Sequence, residues 1–309
     1  MKDSALQFQN SESFALALDA QDSLKHFRNK FFFPKQTSGE DVLYFTGNSL
    51  GLQPRKTREY IEQELEDWKT FGVEGHFHAQ NPWMPYHEFV AENLAEIVGA
   101  KKSEVVAMNS LTVNLHLLMV SFYRPHEKRN KIVIEKGAFP SDQYAVKSQI
   151  LFHGFTPESS LIELSPRENE TILRGEDIQK TLRENGDEIA LILLGGVNYY
   201  TGQAFDMQRI TMIGHEIGAI VGFDLAHAAG NLHLQLHDWN VDFAAWCSYK
   251  YLNSGPGGIA GIFVHERHHT DENLPRFAGW WGHDKATRFL MDDEFIPIKS
   301  AEGWQLSNP

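Results

Sequence analysis

The sequence predicts an α/β fold, a mostly parallel sheet sandwiched by helices. Three observations carry this. Six runs of strand length lie at 131–135, 161–164, 189–194, 219–223, 241–247 and 259–264. Segments with helical patterning, notably 141–152, 176–184 and 207–217, separate most of them. The run at 241–247 is apolar throughout, as expected of a strand buried on both faces. Strands alternating with helices in this way close most simply into parallel βαβ units.

The 309 residues suffice for one large domain, or one large and one small. Hydrophobic content of 42% and charged content of 22% are those of a soluble globular protein. A net charge of −13, with no basic stripe to offset it, argues against a nucleic-acid partner. The single cysteine, Cys247, excludes an intrachain disulfide and fits a reducing compartment. The first ten residues lack the apolar core of a signal peptide, and no run reaches membrane-spanning length. A cytoplasmic protein is expected, without nucleic-acid or membrane partners.

In chain order, 14–27 reads as a helix closed by Phe31-Phe-Phe-Pro34, giving an N-terminal helical arm over 1–40. A Gly/Asn turn at 44–51 precedes a helix opening at Pro54, with Ile61, Leu65 and Trp68 on its buried face. A second helix covers 86–98. Asn109-Ser-Leu-Thr112 introduces the apolar helix 113–122. Ser110 or Thr112 can cap that helix; the same geometry offers free N–H groups and a positive dipole end to a phosphate. His76 beside His78, and His265-Glu-Arg-His-His269, lack the His-Glu-x-x-His order, so no metal site is expected and the latter reads as a solvated turn.

Two residues organise the chemistry. Lys250 follows the 241–247 run at the start of a loop with three glycines and a proline. A lysine desolvated there becomes nucleophilic and suits covalent attachment to an aldehyde. Asp224 ends the preceding strand, with His227 three residues on. A pyridoxal phosphate enzyme needs such a lysine, and a carboxylate to keep the pyridine nitrogen protonated. In open α/β sheets both come from the carboxyl ends of neighbouring strands.

Seven strings complete the picture: Gly47-Asn-Ser-Leu-Gly51, Phe139-Pro-Ser-Asp142, Tyr199-Tyr-Thr-Gly-Gln203, Gly222-Phe-Asp-Leu-Ala-His227, Cys247-Ser-Tyr-Lys-Tyr-Leu-Asn253, Gly279-Trp-Trp-Gly-His283 and Ser307-Asn-Pro309. From Asp41 onward the chain resembles the kynureninases, pyridoxal phosphate enzymes of the aspartate-aminotransferase fold (fold type I). The resemblance implies a cofactor-binding large domain over 41–309. It implies hydrolysis of L-kynurenine, or its 3-hydroxy form, to an anthranilate and L-alanine, in tryptophan catabolism leading to NAD biosynthesis. It further implies that Lys250 carries the cofactor and shuttles the α-proton, and that Asp224 pairs with the ring nitrogen. By the same resemblance Phe139 stacks on the ring, while Pro140, Ser141, Asp142 and His227 line it. Leu111 and Thr112 meet the phosphate, and Tyr249 contacts it and acts in proton transfer. Trp280 and Asn308 reach the cofactor of the neighbouring subunit in a homodimer, and Ser49, His76 and Asn308 line the kynurenine pocket.

Two departures qualify the resemblance. Gly195 stands where the family commonly has a hydroxyl residue. The chain ends at Pro309, where family members continue into a small domain bearing the arginine that grips the substrate carboxylate. A cofactor-binding fragment with little or no activity is therefore an alternative expectation. A cysteine desulfurase is another, but it needs a cysteine on a loop near the substrate, and Cys247 falls in the buried run.

Overall fold

The computed structural model describes residues 7–308; the first six residues of the expected arm, and Pro309 of the Ser307-Asn-Pro309 string, lie outside it. In chain order the helices are α1 (Glu12–Gln21), α2 (Thr57–Phe71), α3 (Gly75–His78), α4 (Ala91–Val98), α5 (Leu111–Phe122), α6 (Pro140–Phe152), α7 (Pro157–Ser160), α8 (Gly175–Glu184) and α9 (Met207–Glu216). The strands are β1 (Val105–Ala107), β2 (Lys131–Glu135), β3 (Leu161–Leu164), β4 (Ile189–Gly195), β5 (Ile220–Asp224), β6 (Phe243–Trp246) and β7 (Gly261–Val264). They form one sheet in the order β1-β7-β6-β5-β4-β2-β3. Every pairing from β6 across to β3 is parallel. β7 runs antiparallel to both of its neighbours.

Side chains alternate across this sheet, so each strand feeds two cores. On one face Val133, Ile192, Phe223 and Trp246 pack with Val98 of α4, Leu182 of α8 and Ile213 of α9. On the other, Ile132, Ile134, Leu193 and Phe243 meet Leu118 of α5 and Val146 and Ile150 of α6. The rings of Phe122 and Phe243 stack at 4.9 Å. Gly222 has no side chain because the Phe243 ring, on the paired strand, occupies that space. The order 2-4-5-6 of the parallel strands brings the carboxyl ends of β2, β4 and β5 together, and the site lies there.

Several expectations are corrected. The helix over 14–27 stops at Gln21, with Asp22 extended, and a 3₁₀ segment follows at Lys25–Lys30. α2 opens at Thr57 rather than Pro54, because Pro54 pairs with Phe31. The helix over 86–98 begins as a 3₁₀ turn, Tyr86–Val90. Ile61, Leu65 and Trp68 are exposed at 55%, 55% and 67%, not buried. Among the described residues α2 presents an exposed apolar stripe, with Asp67 its one buried residue. β1 was missed because three residues cannot display a period; it is a strand because β7 pairs with it. Among the described residues no helix is long and apolar enough to cross a membrane.

Candidate active site at the carboxyl ends of β2, β4 and β5

Asp224 is the last residue of β5, paired with Gly195 of β4 on one side and Ala245 of β6 on the other. Its carboxyl is buried and Oδ1 accepts the Ala226 N–H at 2.7 Å. β6 ends at Trp246, and the chain turns so that Lys250 enters the same cavity with 9% of its surface exposed. The Lys250 Nζ lies 3.0 Å from His227 Nε2. Burial, and then the positive charge of Lys250, push the His227 imidazole down to about 4. His227 is therefore neutral near pH 7, and its Nε2 accepts from the ammonium.

Two helix starts close the cavity. Phe139 is the residue before α6, its ring centroid 5.9 Å from Lys250 Nζ, and Tyr199 meets that ring edge-on at 5.3 Å. Pro140 takes the first helical position, where its missing N–H costs nothing. Asp142, in the first turn, is buried and lines the same cavity as Asp224, close enough for the two carboxyls to interact. Burial first, then Asp224, push the Asp142 carboxyl up to about 10. Burial raises Asp224 too. Two interacting buried carboxyls retain a proton between them. At α5, Ser110 is the N-cap but its side chain makes no capping bond. The first-turn N–H groups around Leu111 and Thr112 thus remain available to an anion at the dipole's positive end.

Leu111, Thr112, Phe139, Ser141, Asp142, Asp224, His227, Tyr249 and Lys250 all line one cavity of about 160 Å³. Burial, then Cys247, push the Tyr249 phenol up to about 12, so it stays a donor. Pro140, Ser49, His76, Trp280 and Asn308 do not line it. Trp280 donates its indole N–H to the Arg288 carbonyl, and His76 sits edge-on to Trp83. Ser49 and Asn308 are exposed. The Ser49 turn nevertheless abuts the site: the Gly51 N–H bonds to the Tyr249 carbonyl at 2.8 Å. A side chain at Gly51 would run into the Lys250 carbonyl, so this close approach requires glycine.

Sequence reasoning missed Glu135 and Tyr199, which share the cavity. An acid closing a buried parallel strand was the available signal for Glu135; Tyr199 lay in a string quoted above. The His265 turn is also corrected: His265 and His269 are buried, not solvated. Glu104, fully buried, accepts the N–H groups of Lys101 and Glu266, with His237 Nδ1 2.9 Å from it. Ligand atoms of Glu104, His237 and His265 lie within 4.8 Å of one another. With both oxygens engaged by backbone, this group reads as a structural tie between distant segments. Asp242 does the same for His215, Arg267 and His268.

This sheet topology, with an acid and a lysine at neighbouring strand ends, defines the class of fold type I pyridoxal phosphate enzymes. Solved structures bear out the fold. The cystine C–S lyase C-DES superposes with TM-score 0.70 at 16% identity, over 92% of this chain and 69% of that one. The cysteine desulfurase CsdA of Escherichia coli gives 0.69 at 16%, over 93% and 68%. A cysteine desulfurase of Thermococcus onnurineus gives 0.65 at 19%, over 87% and 63%. The Aminotransferase class-V signature matches residues 43–279. The kynureninases of Flavobacterium psychrophilum and Koribacter versatilis are 61% and 62% identical, over 97% and 99% of this chain and 71% and 72% of theirs. That of Nematostella vectensis is 54% identical over 97% and 67%. The chain belongs to the kynureninase family of class-V aminotransferase-fold proteins. It spans about 71% of the length of its bacterial relatives.

Proposed function

We propose that this protein hydrolyses L-kynurenine, or 3-hydroxy-L-kynurenine, to anthranilate or 3-hydroxyanthranilate and L-alanine, using pyridoxal 5'-phosphate. The observation that carries the reading is the convergence of Lys250, Asp224, Phe139 and the uncapped start of α5 on one cavity. These residues fit the cofactor group by group: a buried amine for its aldehyde, a buried carboxyl for its ring nitrogen, an aromatic face for its ring, and free N–H groups for its phosphate. When bound, the cofactor supplies an electron sink for the substrate's α-carbon.

The chain's own residues divide the remaining work. Lys250 binds the aldehyde and moves the α-proton, with His227 accepting from it while the amine waits. Asp224 gives up its shared proton and holds the ring nitrogen protonated. Phe139 stacks on the ring; Pro140, Ser141, Asp142 and His227 shape its surroundings. Leu111 and Thr112 hold the phosphate, and Tyr249 reaches it as a protonated donor. Water adds to the side-chain ketone and the Cβ–Cγ bond breaks: the added oxygen stays with the anthranilate carboxyl, the bonding pair stays on Cβ, and a proton, supplied overall by that water, is delivered to Cβ to complete L-alanine.

The same reading makes the protein a homodimer with shared sites. The apolar stripe of Ile61, Leu65 and Trp68 supports this, as do Trp280 and Asn308 lying off their own chain's cavity. Trp280 and Asn308 would complete the neighbour's cofactor site, and Ser49, His76 and Asn308 the kynurenine pocket. A cytoplasmic setting in tryptophan catabolism, feeding NAD biosynthesis, goes with this reading. Anthranilate fluorescence after adding pyridoxal phosphate and L-kynurenine tests it. Product formation above a protein-free control is expected, and none at any cofactor concentration would overturn it.

A further inference from the structure

Glu135 has no part in the scheme above, yet it lines the cavity with 4% of its surface exposed. It ends β2, next to β4, and its Oε2 accepts the Gly195 N–H at 3.2 Å. A side-chain carbon at position 195 would stand 2.9 Å from Oε1. The carboxyl thus lies where a residue larger than glycine would press on it. Gly195 leaves no gap, because Glu135 reaches across from the neighbouring strand. We propose that Glu135 is a positioning residue of this site: admitted by the bare backbone of Gly195, it joins Asp142 and Asp224 in a buried acid cluster and presents its carboxyl to the cavity as a hydrogen-bonding group.

The charge balance supports this. Among the described residues, Glu135, Asp142 and Asp224 share the cavity with one lysine, Lys250. His227 is held neutral, and the phenols Tyr199 and Tyr249 add no positive charge. Lys136 lies outside this cavity and lines the adjoining one with Glu135. With a proton held by the Asp142–Asp224 pair, Glu135 still adds a further carboxyl to a site with one lysine and little water, which disfavours its charged form. Burial raises the Glu135 carboxyl, against the opposing Gly195 N–H, and the charge of Asp224 raises it further. One oxygen accepts from Gly195, and the carboxyl holds a proton more readily than an ordinary glutamate does. In its protonated form Glu135 adds no negative charge when Asp224 ionises, and it offers a donor to whatever polar atom the cavity receives.

The inference rests on the pyridoxal phosphate reading only for what that atom belongs to, so its test has arms with and without cofactor. In the apo protein, a carboxyl raised on folding stabilises below its unfolded value, and that stability is lost as pH rises through the folded value. As pH rises above the ordinary glutamate value of about 4.3, wild-type apo protein should lose melting temperature. Glu135→Gln should lose less, by on the order of 2–3 °C. Parallel curves would overturn the proposal. A titration of carboxyl-¹³C-glutamate-labelled wild type needs no variant to fold. One resonance should titrate above the ordinary glutamate value, and none doing so would overturn it.

With cofactor added, absorbance titration should show Glu135→Gln binding within about threefold of wild type, since the amide is also a neutral donor. Glu135→Ala should bind at least about tenfold more weakly. Equal binding by the alanine variant, or a glutamine variant as weak as alanine, would refute the donor role. Absence of binding by the wild type would instead overturn the pyridoxal phosphate reading, and the apo measurements then decide Glu135 alone.

Discussion

Replacing Asp224 by asparagine separates the charge of this residue from its shape. Its Oδ1 accepts the Ala226 N–H at 2.7 Å, a bond the asparagine amide oxygen keeps. The side chain is buried, so the change removes a charge-bearing group from a site where solvent screening is weak. A charge-assisted hydrogen bond to the cofactor ring is worth roughly 1.5–3 kcal/mol. Burial, which raises the Asp224 carboxyl against the opposing Asp142 and Ala226 contacts, disfavours its charged form and offsets part of that gain. The expected loss of cofactor affinity is therefore near the lower end, about tenfold. Turnover should fall further, by on the order of a hundredfold, because the electrostatic stabilisation matters most as charge develops. Absorbance titration of the apo protein gives the first quantity and anthranilate fluorescence at saturating cofactor the second. The apo variant should melt no lower than wild type at neutral pH, since a buried acid has gone. Wild-type turnover by Asp224→Asn, or an unchanged cofactor affinity, would refute the pairing.

Borohydride reduction of the cofactor-loaded protein, followed by peptide mapping, should place the pyridoxyl group on Lys250; a label on another lysine would refute the assignment. Mixing Lys250→Ala with Trp280→Ala subunits should yield activity above both parents, since some mixed dimers regain one complete site. No recovery despite demonstrated subunit exchange would count against Trp280 serving its neighbour. Trp68→Glu on the α2 stripe should shift the protein toward monomer in sedimentation; an unchanged mass would move the interface elsewhere. Burial works against the Asp242 charge, but His215, His268 and Arg267 hold its carboxyl well below the ordinary range. Its contribution is present above the unfolded value of about 4 and is lost as pH falls below it. Asp242→Ala should cost about 3–5 kcal/mol at pH 7, read by denaturant melts, and less in acid; a cost independent of pH would refute the charge network.

The sequence by itself determined the strand–helix order and the central pair of residues. Strand 131–135 was legible to the residue because its buried Ile132-Val-Ile134 centre is an apolar run, a local property; 161–164, an edge strand with Glu163 exposed, was legible from its short apolar stretch after a helix. Asp224 and Lys250 were legible for a related reason: a polar side chain ending such a run is delivered to the sheet's carboxyl edge. Tertiary structure decided what each residue meets. That Glu135 lies against Gly195, 60 positions away, follows from β2 pairing with β4 rather than from any spacing. His265 looked solvated because five polar residues run together there, yet Glu104, from a segment far upstream, lies over it and buries it. The α2 stripe looked like a core face, because periodicity shows that a helix has an apolar side but not which chain covers it. Burial, shared protons and partner surfaces depend on contacts between distant segments, and the fold alone brings those together.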